Sequence, residues 1–444
     1  MKILNLFLVT IIIFNVTIIQ ASDLYLLSSV TDALSLNQAN RGILVLARPA
    51  GFTGGVTLLK FSPESSPEIF FETEFDQRDK GVISDVDSPV CMVRTSDGGF
   101  AVLAELKPYK AAQAGINREA AIWLLKLSSS GKQEWEKVIS ENAYGCKPFN
   151  VIQTKDNGYI ITGATMKGNV WKSLVIKTDA AGSVVWKKSF PSASYAFFDS
   201  AVELSDGKFV LYGYDEVQNR TNYWIAGIDA NGNKLWQKTW PGMGEQLKKP
   251  LIHLHEDSFY ALIKSDNSIP GLLTFKSAGT IASDIPIKGM KTPDMLNDNI
   301  LLNDGSITFC GWTQNKTQDI LIQKIGAGNI LQWRKAIDIE GDDLGLFVLK
   351  TQDQGYLLIA ATNYAYDYST TDYTYTNMII QIDENGNKLW SEPFTVGKND
   401  YISDAVITED NRCIILITTI RNAKQEVMLL VTEPGGHIGK ITGK

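Results

Sequence analysis

Cysteine and histidine are scarce in this chain, and basic charge is in deficit. Each shortage excludes something. Only four cysteines, Cys91, Cys146, Cys310 and Cys413, stand in 444 residues. No two have the C-x-x-C spacing of a metal or redox site, and so few thiols make disulfides a minor source of stability. Buried thiols on strands are expected, with a Cys91–Cys146 bridge as the alternative. The histidines are His253, His255 and His437. The first two lie two apart on one strand and point the same way. Two such ligands would need a third from elsewhere, and His255 fills a slot held by Thr95, Thr154 and Thr351 in other repeats. A structural role is therefore expected, and no metal. No Ser-His-Asp or Cys-His arrangement is visible. With a formal net charge of −7, the chain lacks the positive footprint of a nucleic-acid binder.

Long apolar runs are also missing, apart from one. Lys2 precedes the apolar stretch Ile3 to Ile19, and Ala21 offers a small residue for cleavage. Residues 1–21 read as a secretory signal, with an uncleaved anchor as the alternative. No cysteine follows to carry a lipid. The expected location is secreted, periplasmic or at the cell envelope, with no membrane span once the signal is removed. Apolar residues make up 44% and charged residues 20%, the balance of a globular chain. No segment carries a 3.6-residue apolar stripe, so helices should be nearly absent.

What the sequence does have is a repeat. One phrase runs from Thr or Leu to an Asp two residues on, a Gly, and a β-rich run. It appears at Thr95–Asp97, Thr154–Asp156, Leu204–Asp206, Leu302–Asp304 and Thr351–Asp353, and more weakly at His255–Asp257 and Thr408–Asp410. The Asp-to-Asp steps are 59, 50, 51, 47, 49 and 57. A second phrase places Trp four residues after a turn glycine, as at Gly131/Trp135, Gly182/Trp186, Gly232/Trp236 and Gly386/Trp390. It is shifted by one residue at Gly328/Trp333. An unmarked unit opens with strands around Gly42 and Val56. Residues 22–444 thus divide into eight units of ~50 residues, each with four short strands and Asp-Gly or Asn-Gly turns. The expectation is an all-β chain folded as a single eight-bladed β-propeller of four-stranded antiparallel blades, seven blades being the alternative count.

The Asp-x-x-Gly-x-x-x-Trp phrase resembles the blade repeat of the quinoprotein alcohol dehydrogenase-like propellers. It is also similar to that of exported propellers common in the Bacteroidetes. The likeness covers almost all of residues 22–444 and implies the eight-bladed fold. It does not extend to a cofactor. That family uses adjacent cysteines and a calcium held by acidic and amide side chains, and no two cysteines are adjacent here. None is expected.

Function is sought where the units differ. The tryptophans at one repeat position should pack between units, and the Asp-x-Asn-Gly-Asn turns at Asp229 and Asp383 are too short for a calcium loop. Turns after the first and third strands are short and regular. Connections after the second and fourth vary, and function tends to live on such loops. Lys107–Ala120 carries Tyr109, Lys110 and Arg118; residues 76–87 hold Asp85 and Asp87. Residues 363–377 hold Tyr364, Tyr366, Asp367, Tyr368, Asp372, Tyr373 and Tyr375. Trp171 and Trp224 lie where two further loops re-enter strands. Tyrosine with carboxylates suits a glycan or protein ligand. The candidate ligand-binding residues are Tyr109, Arg118, Trp171, Trp224, Tyr364, Tyr366, Asp367, Tyr368, Asp372 and Tyr373. Polar residues three before each repeat Asp, such as Arg94, Gln153, Glu203 and Lys350, either line a central channel or form stabilising pairs. The leading expectation is a monomeric, non-enzymatic binding scaffold. The alternative is a polysaccharide lyase or hydrolase drawing its acids from Asp85, Asp87, Asp367, Asp372 and Glu203. A quinone- or metal-dependent oxidoreductase is a third reading.

Overall fold

The computed structural model describes residues 24–26, 30–39, 42–49, 56–61, 69–75, 88–106, 120–139, 145–167, 170–190, 196–217, 220–241, 252–255, 258–264, 269–276, 281–353, 355–367, 372–421 and 424–438. The expected signal at 1–21, Asp85, Asp87, Tyr109, Arg118 and Tyr368 lie outside the described residues.

Among the described residues every regular element is a strand, and the strands form eight four-stranded sheets. In seven of them the strands neighbour one another in chain order, all antiparallel. The second sheet shows the plan: Ser88–Arg94, Phe100–Leu106, Ala121–Leu127 and Gln133–Ile139. The third sheet repeats it with Cys146–Gln153, Tyr159–Lys167, Val170–Thr178 and Val184–Phe190. The eighth differs. It takes Lys398–Ile407, Cys413–Arg421 and Lys424–Val431 from the end of the chain and Leu24–Leu26 from its start.

The sheets follow from alternation and turn chemistry. Middle strands carry near-continuous apolar runs because both their faces are covered. Phe100, Leu103, Ile122 and Leu124 are fully buried. Fourth strands show exposed positions before the tryptophan and a buried one at the end, the pattern of an outer edge. First strands converge. Ser88–Arg94 meets Cys146–Gln153, which meets Ala196–Glu203, which meets Ile252–His255. Met295–Leu301 meets Leu344–Lys350, which meets Lys398–Ile407. Val30–Ala39, the first strand of the first sheet, touches both Ser88–Arg94 and Lys398–Ile407. First strands at the axis and fourth strands at the rim make a β-propeller repeat fold.

Two local devices recur. Thr95 N–H donates to Gly99 O at 2.9 Å and Gly98 N–H to Thr95 O at 2.9 Å, with φ of 81° at Gly98. That is a five-residue hairpin loop whose left-handed residue wants Gly or Asn, and Asn157 fills the same place with φ of 62°. The second device is a bulge in the first strand, as between Leu296 and Asp298. It brings the first-strand backbone so close to Gly311 that a Cβ there would sit 1.9 Å from Met295 O.

The tryptophans join neighbours, as expected. A Cβ at Gly182 would meet the Trp135 ring at 2.5 Å. Trp186 Nε1 donates to Ala230 O at 3.0 Å and Trp333 Nε1 to Glu384 O at 2.8 Å. Asp229 and Asp383 are satisfied turn residues, each accepting from backbone N–H groups two and four residues on. All four cysteines are free thiols, and Cys146, Cys310 and Cys413 are fully buried.

Candidate functional site

The seventh sheet departs most from the plan. Its second and third strands, Tyr356–Asp367 and Asp372–Ile382, run to 12 and 11 residues. Elsewhere these strands have six to nine. The segment 363–377, read above as a loop, is therefore mostly a strand hairpin. Alternating tyrosine and threonine suits a strand. Ala365 pairs with Thr374, Tyr366 with Tyr373 and Asp367 with Asp372.

A bulge at Asn363 and Tyr364 interrupts that pairing, with φ of 53° at Asn363. The freed N–H groups donate instead to the preceding connection, Asn363 to Glu340 O at 2.8 Å and Tyr364 to Asp342 O at 2.7 Å. The Tyr364 ring stacks on Tyr375, with centroids 5.7 Å apart and planes at 26°. Tyr375 Oη donates to Asp400 O at 2.6 Å. The Asp400 carboxylate in turn accepts from Val396 N at 2.7 Å, Gly397 N at 2.9 Å and the Thr419 hydroxyl. That buried aspartate fixes the segment 395–400 against the hairpin.

Between them lies a pocket of about 220 Å³ lined by Tyr375, Asn377, Thr395, Lys398 and Asp400, among others. Asn377 is only 2% exposed, and its Oδ1 has no hydrogen-bond partner. A buried acceptor left unmatched is costly unless a ligand donates to it. The pocket offers threonine hydroxyls, amide side chains, one lysine and the Tyr375 ring, a set that suits a polyhydroxylated ligand.

Of the residues named from sequence, Tyr364 stacks beside this pocket. Tyr366, Asp367, Asp372 and Tyr373 lie on the hairpin beyond it, and their side chains are not among those described. Trp171 pairs with Met166 in the third sheet, half-buried, with Lys147 Nζ 5.9 Å over its ring. Trp224 is a correction. It pairs with Gly213 within the fourth sheet, is 1% exposed and stacks on Phe198 at 4.3 Å. Its neighbours make it core, so it cannot meet a ligand from a loop. Glu203 is also committed elsewhere, accepting from Lys155 N at 2.7 Å, as Gln153 accepts from Ser96 N. These side chains tie the first turn of one sheet to the next.

Sequence reasoning missed Asn377 as a lining residue and Asp400 altogether. A signal existed: Asp294 and Asp343 stand just before successive first strands and Asp400 near the start of the next, and all three are buried. Asp294 accepts from Thr313 Oγ1 at 2.6 Å and pairs with Arg334 at 3.0 Å. A second missed residue is Asp199, extra in the first-strand bulge of the fourth sheet. Burial pushes its carboxyl up to about 7. Among the described residues no group of three His, Cys, Asp or Glu side chains is placed to hold a metal. No helix among them is long and apolar enough to cross a membrane.

No family model and no curated protein matches this chain. Solved structures do align with it at low similarity. The apo prolyl oligopeptidase B of Galerina marginata is 12% identical with a TM-score of 0.48, over 88% of this chain and 56% of that one. Puromycin hydrolase is 11% identical with a TM-score of 0.45, over 82% and 55%. The WD40 domain of SCAP from fission yeast is 8% identical with a TM-score of 0.44, over 92% and 96%. The chain thus spans a little over half the length of the two enzymes. The fold assignment rests on the sheet order and the convergence of the first strands.

Proposed function

We propose that the protein is an exported, eight-bladed β-propeller that binds a glycan on the face carrying the long hairpin of the seventh sheet. Eight four-stranded sheets, with the first packed on the last, support a closed ring. Strand Leu24–Leu26 completes the last sheet and joins the two ends of the chain. Export rests on Lys2, the apolar run that follows and the small residue Ala21.

One observation carries the binding reading. Asn377, whose buried Oδ1 is unmatched, lines a pocket whose wall includes Tyr375, itself stacked on Tyr364. A sugar hydroxyl donates to the amide oxygen while a ring face packs on tyrosine. The purified protein should bind one glycan class on an array, and Asn377→Ala and Tyr364→Ala should each weaken it tenfold or more without loss of fold. Binding only to cell-envelope proteins, or glycan binding indifferent to both substitutions, would overturn this assignment.

A further inference from the structure

The hairpin of the seventh sheet stands between two connections of different charge. Residues 338–343, which lead into the seventh sheet, carry Asp338, Glu340, Asp342 and Asp343 and no Lys or Arg. Residues 395–400, at the entry to the eighth, carry Lys398 and a single acid, Asp400. The two segments share a plan. Ile339 N donates to Asp343 Oδ2 at 2.7 Å, and Val396 N donates to Asp400 Oδ2 at 2.7 Å. In that register the buried aspartate is kept and every outer acid has gone. Thr395, Gly397 and Asn399 stand for Asp338, Glu340 and Asp342, and Lys398 stands for Gly341.

The second segment is the one that lines the pocket. Thr395, Gly397, Lys398, Asn399 and Asp400 face Thr374, Tyr375 and Asn377 of the hairpin. Only one of the two charged side chains there is open to a ligand. Asp400 is 5% exposed, and its carboxylate is taken up by Val396 N, Gly397 N and the Thr419 hydroxyl. Lys398 is exposed, and among the described residues no Asp or Glu forms an ion pair with it. An unpaired ammonium beside hydroxyls and amides is a partner for an anionic group, and a pocket closed to water on one side strengthens that attraction.

Building on the glycan reading, we propose that the sugar bound here is acidic and that Lys398 receives its carboxylate or sulfate. The threonine hydroxyls and the Tyr375 ring meet the neutral part of the sugar. The charges also give the ligand a direction. Its acidic group lies toward the eighth sheet, away from Glu340 and Asp342, whose carbonyls hold Asn363 and Tyr364 on the other strand of the hairpin.

The test is a glycan array that presents each backbone in neutral and acidic forms. The pairs include oligogalacturonate beside its methyl ester, and cello-oligosaccharide beside forms oxidised or sulfated at C6. An acidic form should bind and its neutral form should bind tenfold weaker or more, with the gap narrowing at high salt. Binding of the oxidised or of the sulfated form tells carboxylate from sulfate. Lys398 is exposed, so its variants should fold: Lys398→Gln should remove the preference for the acidic form, and Lys398→Arg should keep it. Neutral and acidic forms that bind alike, both weakened by Asn377→Ala, would overturn the acidic assignment and leave the glycan reading standing. A preference for the acidic form that survives Lys398→Gln would overturn the role of Lys398. Binding of no glycan would overturn both readings.

Discussion

The third and seventh sheets are the same repeat used in two ways. In the third, Lys177 closes the gap between the turns, and the strands end after nine residues. In the seventh, Gln381 puts an uncharged amide in that place, its Nε2 beside Gly355 as Lys177 Nζ is beside Gly158, and the hairpin at the far end runs on past a bulge. Both keep the tryptophan link, Trp135 to the third sheet and Trp333 to the seventh. The scaffold is thus constant, and the departures sit at its two ends. The exchange leaves Gln381 Oε1 buried and unmatched, at a cost of about 1–3 kcal/mol.

The constant part should give the largest and most equal effects. Trp135→Ala and Trp333→Ala should each cost roughly 3 kcal/mol, read by chemical denaturation. A large cost in one and none in the other would break the equivalence of the two sheets. Next, Lys177→Gln makes the third sheet resemble the seventh. It removes charge-assisted bonds to Asp156 and leaves a backbone carbonyl unmatched, for a loss of about 1–3 kcal/mol. The reverse change, Gln381→Lys, should stabilise by ~0.5–1 kcal/mol.

Acid titration sharpens the contrast further. Burial alone would raise the Asp97 carboxyl, but hydrogen bonds from Lys126, Thr95 and Gly99 hold it down to about 2. A depressed carboxyl contributes stability above its ordinary value of 3.8 that is lost as pH falls toward 2. Asp199 has the opposite sign. Burial raises it to about 7, so the native state keeps the proton and stability declines as pH rises from 3.8 to 7. Thermal melts across pH should show Asp97→Asn flattening the acid limb and Asp199→Asn flattening the neutral one. Unchanged limbs would remove both assignments.

Most of the fold was legible in the sequence because its signals are local. Gly98 and Asn157 mark turns by their φ, and the tryptophans mark the fourth strands at a fixed distance from a turn glycine. The ends of strands were harder to read. Tyrosines and threonines from Tyr364 to Tyr375 look like a polar loop, yet both they and the loop obey the same composition. Only pairing across the hairpin decides between them. Trp224 misled for a related reason: it sits after a polar stretch, but strand alternation and Phe198 turn it into the core. Asp400 and Asn377 meet across 23 residues of chain, a contact no short phrase encodes.

The central claim is that the glycan site is where the seventh sheet leaves the repeat on its hairpin face. Hydrogen exchange by mass spectrometry, with and without the glycan found on the array, tests it most directly. Added protection should fall on residues 372–377 and 395–400 and spare the turn at 351–355. Protection confined to the turn face, or to sheets other than the seventh and eighth, would contradict it.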